Sequence, residues 1–188
     1  TFYAAAEQYK QNPRLPAIGH VQHPSKKRLR IGLLRDACSA PVHGDCVEAV
    51  DQAAKLCEYL GHHVEIIAFP FTEQVLDDFY ILWGAMAFFS KHLGAFVFGK
   101  GFDKTQLEPL THGFGDHYYN NKLKTPGVIW RLKMFSHQYQ QFFDQYDVLL
   151  SPTLATPPPE LGHLSTEIDP TISIERLINF IPFTPYQN

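Results

Sequence analysis

Between Arg28 and Pro70 the chain reads strand, helix, strand within about forty residues, and that spacing leaves few folds open. R-L-R-I-G-L-L-R, from Arg28 to Arg35, is a short apolar run that ends in a turn segment containing Ser39, Pro41 and Gly44. Asp45 is expected to cap the following helix, with Glu48 three residues on in capping-box spacing. Cys46, Val50, Ala53, Cys57 and Leu60 recur at helical intervals and form its expected buried stripe, and Gly61 supplies the stop. H-V-E-I-I-A-F then reads as a second strand closed by Pro70. A single helix can join two strands of one sheet only by crossing over it, which makes the strands parallel and the crossover right-handed. The expected class is therefore α/β.

The rest of the chain adds helices around that unit. Residues before Pro24 suggest a short helix and an irregular connection broken by Pro13, Pro16 and Pro24. Thr72 is placed to cap a helix whose apolar stripe is Val75, Phe79, Leu82, Met86 and Phe89. Apolar residues off that stripe, including Ile81, Trp83 and Phe88, imply that it is covered on more than one side. Thr105 to Leu123 reads as a polar helix or helix pair interrupted by H-G-F-G. Thr125 and Pro126 start a long helix with Ile129, Leu132, Phe135, Tyr139, Phe142 and Tyr146 at helical spacing. It delivers the chain to D-V-L-L-S-P-T, a short strand that runs into Pro157, Pro158 and Pro159. A last short helix is expected around Ile174 to Phe180. With 188 residues, 45% of them hydrophobic, one core suffices, and residues 1–188 are expected to be a single α/β segment. The first residue is not Met and the last phrase breaks off at Asn188, which suggests truncation of a longer chain at both ends.

Charge and cysteine usage exclude several functions. A net charge of −3 provides no field for nucleic acid, and Lys26, Lys27, Arg28 and Arg30 are better read as a solvated strand entrance. Three cysteines, Cys38, Cys46 and Cys57, without C-x-x-C spacing, fit neither a disulfide framework nor a zinc knuckle; reduced thiols in a cytoplasm are expected. The apolar run Phe79 to Phe89 is shorter than the roughly 18 residues that cross a bilayer, so no membrane association is expected. The ten histidines include no H-E-x-x-H arrangement and no set completing a tetrahedral site, so no metal is expected. Neither G-x-G-x-x-G nor G-x-x-x-x-G-K-[ST] occurs, so no nucleotide or other cofactor is expected either.

The chemistry of the remaining candidates is incomplete. Ser151 stands at a strand end, where ligands of open α/β sheets collect, yet Pro152 follows it. An oxyanion hole commonly uses the N–H after the nucleophile, and proline has none. Ser151 is therefore read as a rim residue. Cys38, between the first strand and its helix, would gain nucleophilicity from a helix N-terminus, but no histidine is tied to it by motif and a structural thiol is the better reading.

Three stretches, in order, resemble the C-terminal half of the amidase signature family. They are R-L-R-I-G-L-L-R-D with A-V-D-Q-A-A-K-L-C-E-Y-L-G-H-H-V-E-I; F-F-D-Q-Y-D-V-L-L-S-P-T-L-A-T-P-P-P-E-L-G; and F-I-P-F-T-P-Y-Q-N, roughly Leu29 to Asn188. The resemblance implies the C-terminal part of an amidase-signature-type fold, a mixed sheet with a parallel βαβ unit and flanking helices. It also implies amide hydrolysis by a serine nucleophile, a second serine in a cis peptide and a lysine, through an acyl-enzyme. The resemblance places both serines in a Gly/Ser-rich signature and the lysine far upstream; no such signature occurs here, so no catalytic residue is assigned to this segment and it is expected to be inactive alone. On the same resemblance Ser151, Pro152, Thr153 and Trp83 are expected to line the substrate pocket. F-Y-I-L-W-G-A-M is similar to the corresponding stretch of enzymes of the 6-aminohexanoate-cyclic-dimer hydrolase type, which implies a small linear or cyclic amide as substrate. The alternative function is a non-catalytic binding or assembly module, oligomerising through an exposed, truncated sheet edge.

Overall fold

A computed structural model describes residues 2–9, 17–23, 25–68, 72–165 and 167–187. Pro13, Pro16, Pro24 and Pro70, expected to break or close elements, lie outside those residues, as does Asn188. After the first helix, α1 (Phe2–Tyr9), the chain forms β1 (Arg30–Leu34), α2 (Gly44–Tyr59) and β2 (His63–Ile67). β1 and β2 pair in parallel, Arg30 opposite His63 through Leu34 opposite Ile67. This is the expected βαβ unit.

The helix between them begins two residues earlier than its sequence suggests. His43, not Asp45, is the N-cap: its Nδ1 accepts from the Asp45 N–H at 3.2 Å. Asp45 sits in the first turn, where its charge complements the helix dipole. Val50 and Ala54 are the buried residues of α2, and they pack on Leu33 of β1; Leu60, expected on the stripe, is exposed. At the other end the Gly61 N–H donates to the Glu58 carbonyl and the His62 N–H to the Cys57 carbonyl, a Schellman stop. Gly61 adopts φ +86°, and a Cβ there would stand 2.8 Å from Arg28 Nε. Gly61→Ala should lower stability by roughly 1–2 kcal/mol in urea unfolding, the cost of a left-handed non-glycine residue.

α3 (Glu73–Phe98), α4 (Pro109–Asn121) and α5 (Thr125–Gln145) follow, and α5 leads into β3 (Val148–Leu150). β3 joins the free side of β1 in parallel, Ile31 opposite Val148, giving the order β2-β1-β3. All three described strands run in the same direction. Asp147 fixes the join: its carboxylate accepts from the Arg30 N–H at 2.9 Å and from Lys27 Nζ at 2.6 Å, while its own N–H donates to the Arg30 carbonyl. The Arg30 N–H, and after it Lys27, hold the Asp147 carboxyl below its usual range. α6 (Pro170–Phe180) and a short 3₁₀ turn, Thr184–Gln187, end the described chain.

α3 packs most extensively on α4, then on α5. Its buried residues are Leu76, Asp78, Tyr80, Ile81, Gly84 and Gly94, a stripe rotated by about one residue, some 100°, from the expected one. H-G-F-G does not interrupt α4. Gly113 and Gly115 instead let it approach Pro170 and the Phe88 backbone closely. α5 begins at Thr125 itself, whose hydroxyl donates back to the Lys122 carbonyl at 2.7 Å instead of capping. By length and composition alone α3 is apolar enough to cross a membrane, although its eleven-residue run Phe79 to Phe89 is not.

Candidate functional site

Four of the five residues expected to form the buried stripe of α3, all but the exposed Phe89, line a groove together with Trp83. Val75, Phe79, Leu82, Trp83 and Met86 make one wall, and Leu132, Phe135, Ser136 and Tyr139 of α5 make the other. Ile181 and the turn Thr184–Gln187 close the end, around a cavity of about 620 Å³. Among the described residues no lining side chain carries a formal charge. Its volume and aromatic lining are those of a small-molecule site.

Aromatic contacts set the shape of these walls. Trp83 stands with its ring centroid 4.8 Å from Phe114 and 5.8 Å from Phe79, and Phe135 meets Tyr186 edge-on at 6.0 Å. Tyr186 is 4% exposed, and its hydroxyl lies 2.7 Å from Cys38 Sγ. Burial raises the Tyr139 and Tyr186 phenols and pushes Tyr80 up to about 12, so all three are neutral at physiological pH. Burial also raises the Cys38 thiol, outweighing the Tyr186 hydrogen bond. Cys38 is thus a protonated packing partner, the opposite of an activated nucleophile.

The four residues read as pocket-lining do not come together. Trp83 lines the groove, but Ser151, Pro152 and Thr153 lie beyond β3 and do not. Pro152 is buried, Ser151 half-buried and Thr153 exposed. Their link to the groove is indirect: the Ala155 N–H donates to the Phe180 carbonyl at 3.0 Å, just before Ile181, and the Ala155 carbonyl accepts from the His43 N–H at 2.7 Å. Strand tip, α2 N-terminus and groove floor are therefore tied into one edge. Among the described residues no serine or cysteine side chain is hydrogen-bonded to a histidine or lysine side chain, and no group of three or more His, Cys, Asp or Glu converges.

Two features have little signal in the sequence. The Cys38–Tyr186 contact joins residues 148 positions apart, so no local pattern announces it. Asp78, 1% exposed in the second turn of α3, accepts from Arg131 Nε at 2.7 Å and Nη2 at 2.6 Å and from Gln74 Nε2 at 3.2 Å. A charged residue four positions before Leu82 is the available signal: a helix that apolar buries a carboxylate only with a partner. Tyr80 OH, Ser39 Oγ and Arg35 Nε are buried without a hydrogen-bond partner among the described residues.

Known proteins place this architecture. The Amidase family model matches residues 4–188. "Putative amidase AmiC" of Mycobacterium leprae is 37% identical over the whole chain, and "Putative amidase AmiC" of Mycobacterium bovis 36%. The chain spans 40% of the length of either. "Putative amidase" of Synechocystis sp. is 27% identical, over 74% of this chain and 25% of its own length. The solved structure of 6-aminohexanoate cyclic dimer hydrolase complexed with substrate superposes with a TM-score of 0.68 over 87% of this chain and 37% of that one, at 17% identity, a likeness of fold. Sequence phrases and family match agree: this chain belongs to the amidase family.

Proposed function

We propose that the chain forms the substrate-binding wall of an amide hydrolase whose nucleophile, base and oxyanion donors come from outside these 188 residues. The observation that carries this is an uncharged, aromatic-lined groove of substrate size in an amidase-family chain, with no nucleophile–base pair beside it among the described residues. Hydrolysis then follows the serine, cis-serine and lysine relay that the family resemblance implies, through an acyl-enzyme. The substrate is a small linear or cyclic amide, whose methylene or aryl portion lies against Trp83 and Phe79 while the amide carbon faces the missing groups. Ser39 Oγ and Arg35 Nε, past the carboxyl end of β1, are buried with no hydrogen-bond partner among the described residues, which supports an arrangement in which further polar groups meet this edge. The protein acts in the cytoplasm on this reading, consistent with three free cysteines.

A serine-directed fluorophosphonate tests it. In a protein of the relatives' length, the labelled serine is expected outside residues 1–188, and the 188-residue chain alone should neither take label nor release ammonia from a neutral amide. Stoichiometric labelling of Ser151, with amide hydrolysis by the chain alone, overturns the proposal.

A second reading, an assembly module, is favoured by one observation. Among the described residues nothing pairs with the outer edge of β2, where Ile66 is exposed, and Phe96 and Phe98 stand exposed at the end of α3. Light scattering separates the two: a stoichiometric dimer of the chain supports the module, and a heterogeneous distribution counts against it.

A further inference from the structure

We propose that Cys38 is a positioning residue: it holds the Tyr186 hydroxyl out of the groove, so that the groove accepts an uncharged hydrocarbon or aryl substituent of the amide and rejects a charged one. The proposal rests on the reading of the groove as a substrate site. Tyr186 lines the groove, whereas Cys38 does not; it comes from the segment after β1, behind that wall. The 2.7 Å contact between Tyr186 Oη and Cys38 Sγ therefore fixes which way the phenol points. The Tyr186 hydroxyl also donates to the Thr72 carbonyl at 3.5 Å, and Thr72 does not line the groove either. Two polar neighbours of the phenol, Cys38 and Thr72, thus lie outside the groove that its ring lines. Phe135 braces that ring edge-on.

The consequence is chemical selectivity. A hydroxyl turned into an apolar groove would have to be desolvated by any hydrocarbon group entering it, which disfavours that group. With the hydroxyl turned away, a neutral substituent meets aromatic surface, while a carboxylate or ammonium finds no counter-charge among the lining residues. Both the thiol and the phenol are raised by burial and stay protonated, so the contact itself remains uncharged at neutral pH.

Binding of 3-phenylpropionamide and of succinamate, measured by calorimetry on a protein of the relatives' length, tests this. The parent protein should prefer the neutral amide by at least about tenfold, since the charged one leaves a carboxylate unpaired. Cys38→Ala should weaken the neutral amide roughly 3–10-fold, the worth of one hydrogen bond, and narrow the preference. Cys38→Ser should hold affinity near the parent value, because its hydroxyl can keep the contact. The deciding variant is Cys38→Ala combined with Tyr186→Phe: with no hydroxyl left to swing inward, affinity should recover towards the parent value. If Cys38 merely fills space, Tyr186→Phe will not restore what Cys38→Ala loses, and the proposal is overturned. Equal binding of the two amides by the parent overturns it as well. Selective binding without any hydrolysis would instead remove the assignment as an amide hydrolase and leave this inference standing. Hydrolysis without selectivity would do the reverse.

Discussion

Arg131→Ala is expected to be among the most destabilising substitutions in the chain, because it strands a carboxylate in the core. Asp78 is 1% exposed and is held bidentately, while Arg131 remains 40% exposed and can recover water when its partner is removed. Losing the partner of a buried charge costs roughly 3–5 kcal/mol, and that range applies to the Asp78 carboxylate. Gln74 is its other hydrogen-bond donor and carries no charge to replace the one lost. The asymmetry gives a sharp check by urea unfolding. Asp78→Asn should cost clearly less than Arg131→Ala, and the double variant should be more stable than Arg131→Ala alone. Equal and additive losses would show that the pair is not coupled.

Gly84→Ala is expected to separate α3 from α4. A Cβ at Gly84 would stand 2.5 Å from the Phe114 carbonyl oxygen and 3.1 Å from Tyr118 Cβ, so the clash is with backbone that no rotamer change relieves. Alanine favours helix over glycine by roughly 1 kcal/mol, which offsets part of the cost. Overpacking costs typically 1–3 kcal/mol and more where backbones must part, so a net loss of about 2 kcal/mol is expected. Gly94→Ala is the control. The three atoms nearest its new methyl group all belong to the Phe102 ring, a side chain just beyond the end of the helix that can swing aside, and the net change should be within about 1 kcal/mol of zero. A Gly84 variant as stable as the Gly94 variant would mean that the two helices do not depend on this approach.

These two predictions rest on features of α3 that its sequence conceals, and the reason is general to such helices. Period 3.6 identifies the buried face only when the other face is polar. From Phe79 to Phe89 apolar residues surround the axis, so the stripe Val75, Phe79, Leu82 and Met86 is as good a core by pattern as Leu76, Tyr80 and Gly84. The structure assigns the first set to a groove and the second to helix packing. In α2 the alternation is clean, and the βαβ unit from β1 through Gly61 to β2 is legible for that reason. Its cap is harder to place because Asp45 is a commoner capping residue than His43, yet a neutral imidazole Nδ1 can accept a backbone N–H equally well.

The site is legible in part. Trp83 is identifiable as an aromatic candidate, and the obstacle that Pro152 poses to a nucleophilic Ser151 follows from covalent structure alone. Tyr186 is not, because the phrase F-I-P-F-T-P-Y-Q-N offers no periodicity; what defines Tyr186 is Phe135 on one side and Cys38 on another, both remote in sequence. Contacts of that kind belong to tertiary structure, and no local rule anticipates them.

The position of β1 between β2 and β3 bears on how the chain is made. β2 follows its partner closely, so the first pairing can form as soon as β2 has left the ribosome. The second cannot: Leu33 waits for Leu150, more than a hundred residues later, and all of α3, α4 and α5 must be synthesised first. At cellular synthesis rates of about 5–20 residues per second that is an interval of several seconds. During it one edge of the central strand stands open, its amides unpaired and ready to accept a foreign strand. Asp147, which bonds the Arg30 amide and Lys27, closes that interval, and its arrival marks the moment at which the open edge of the central strand is covered.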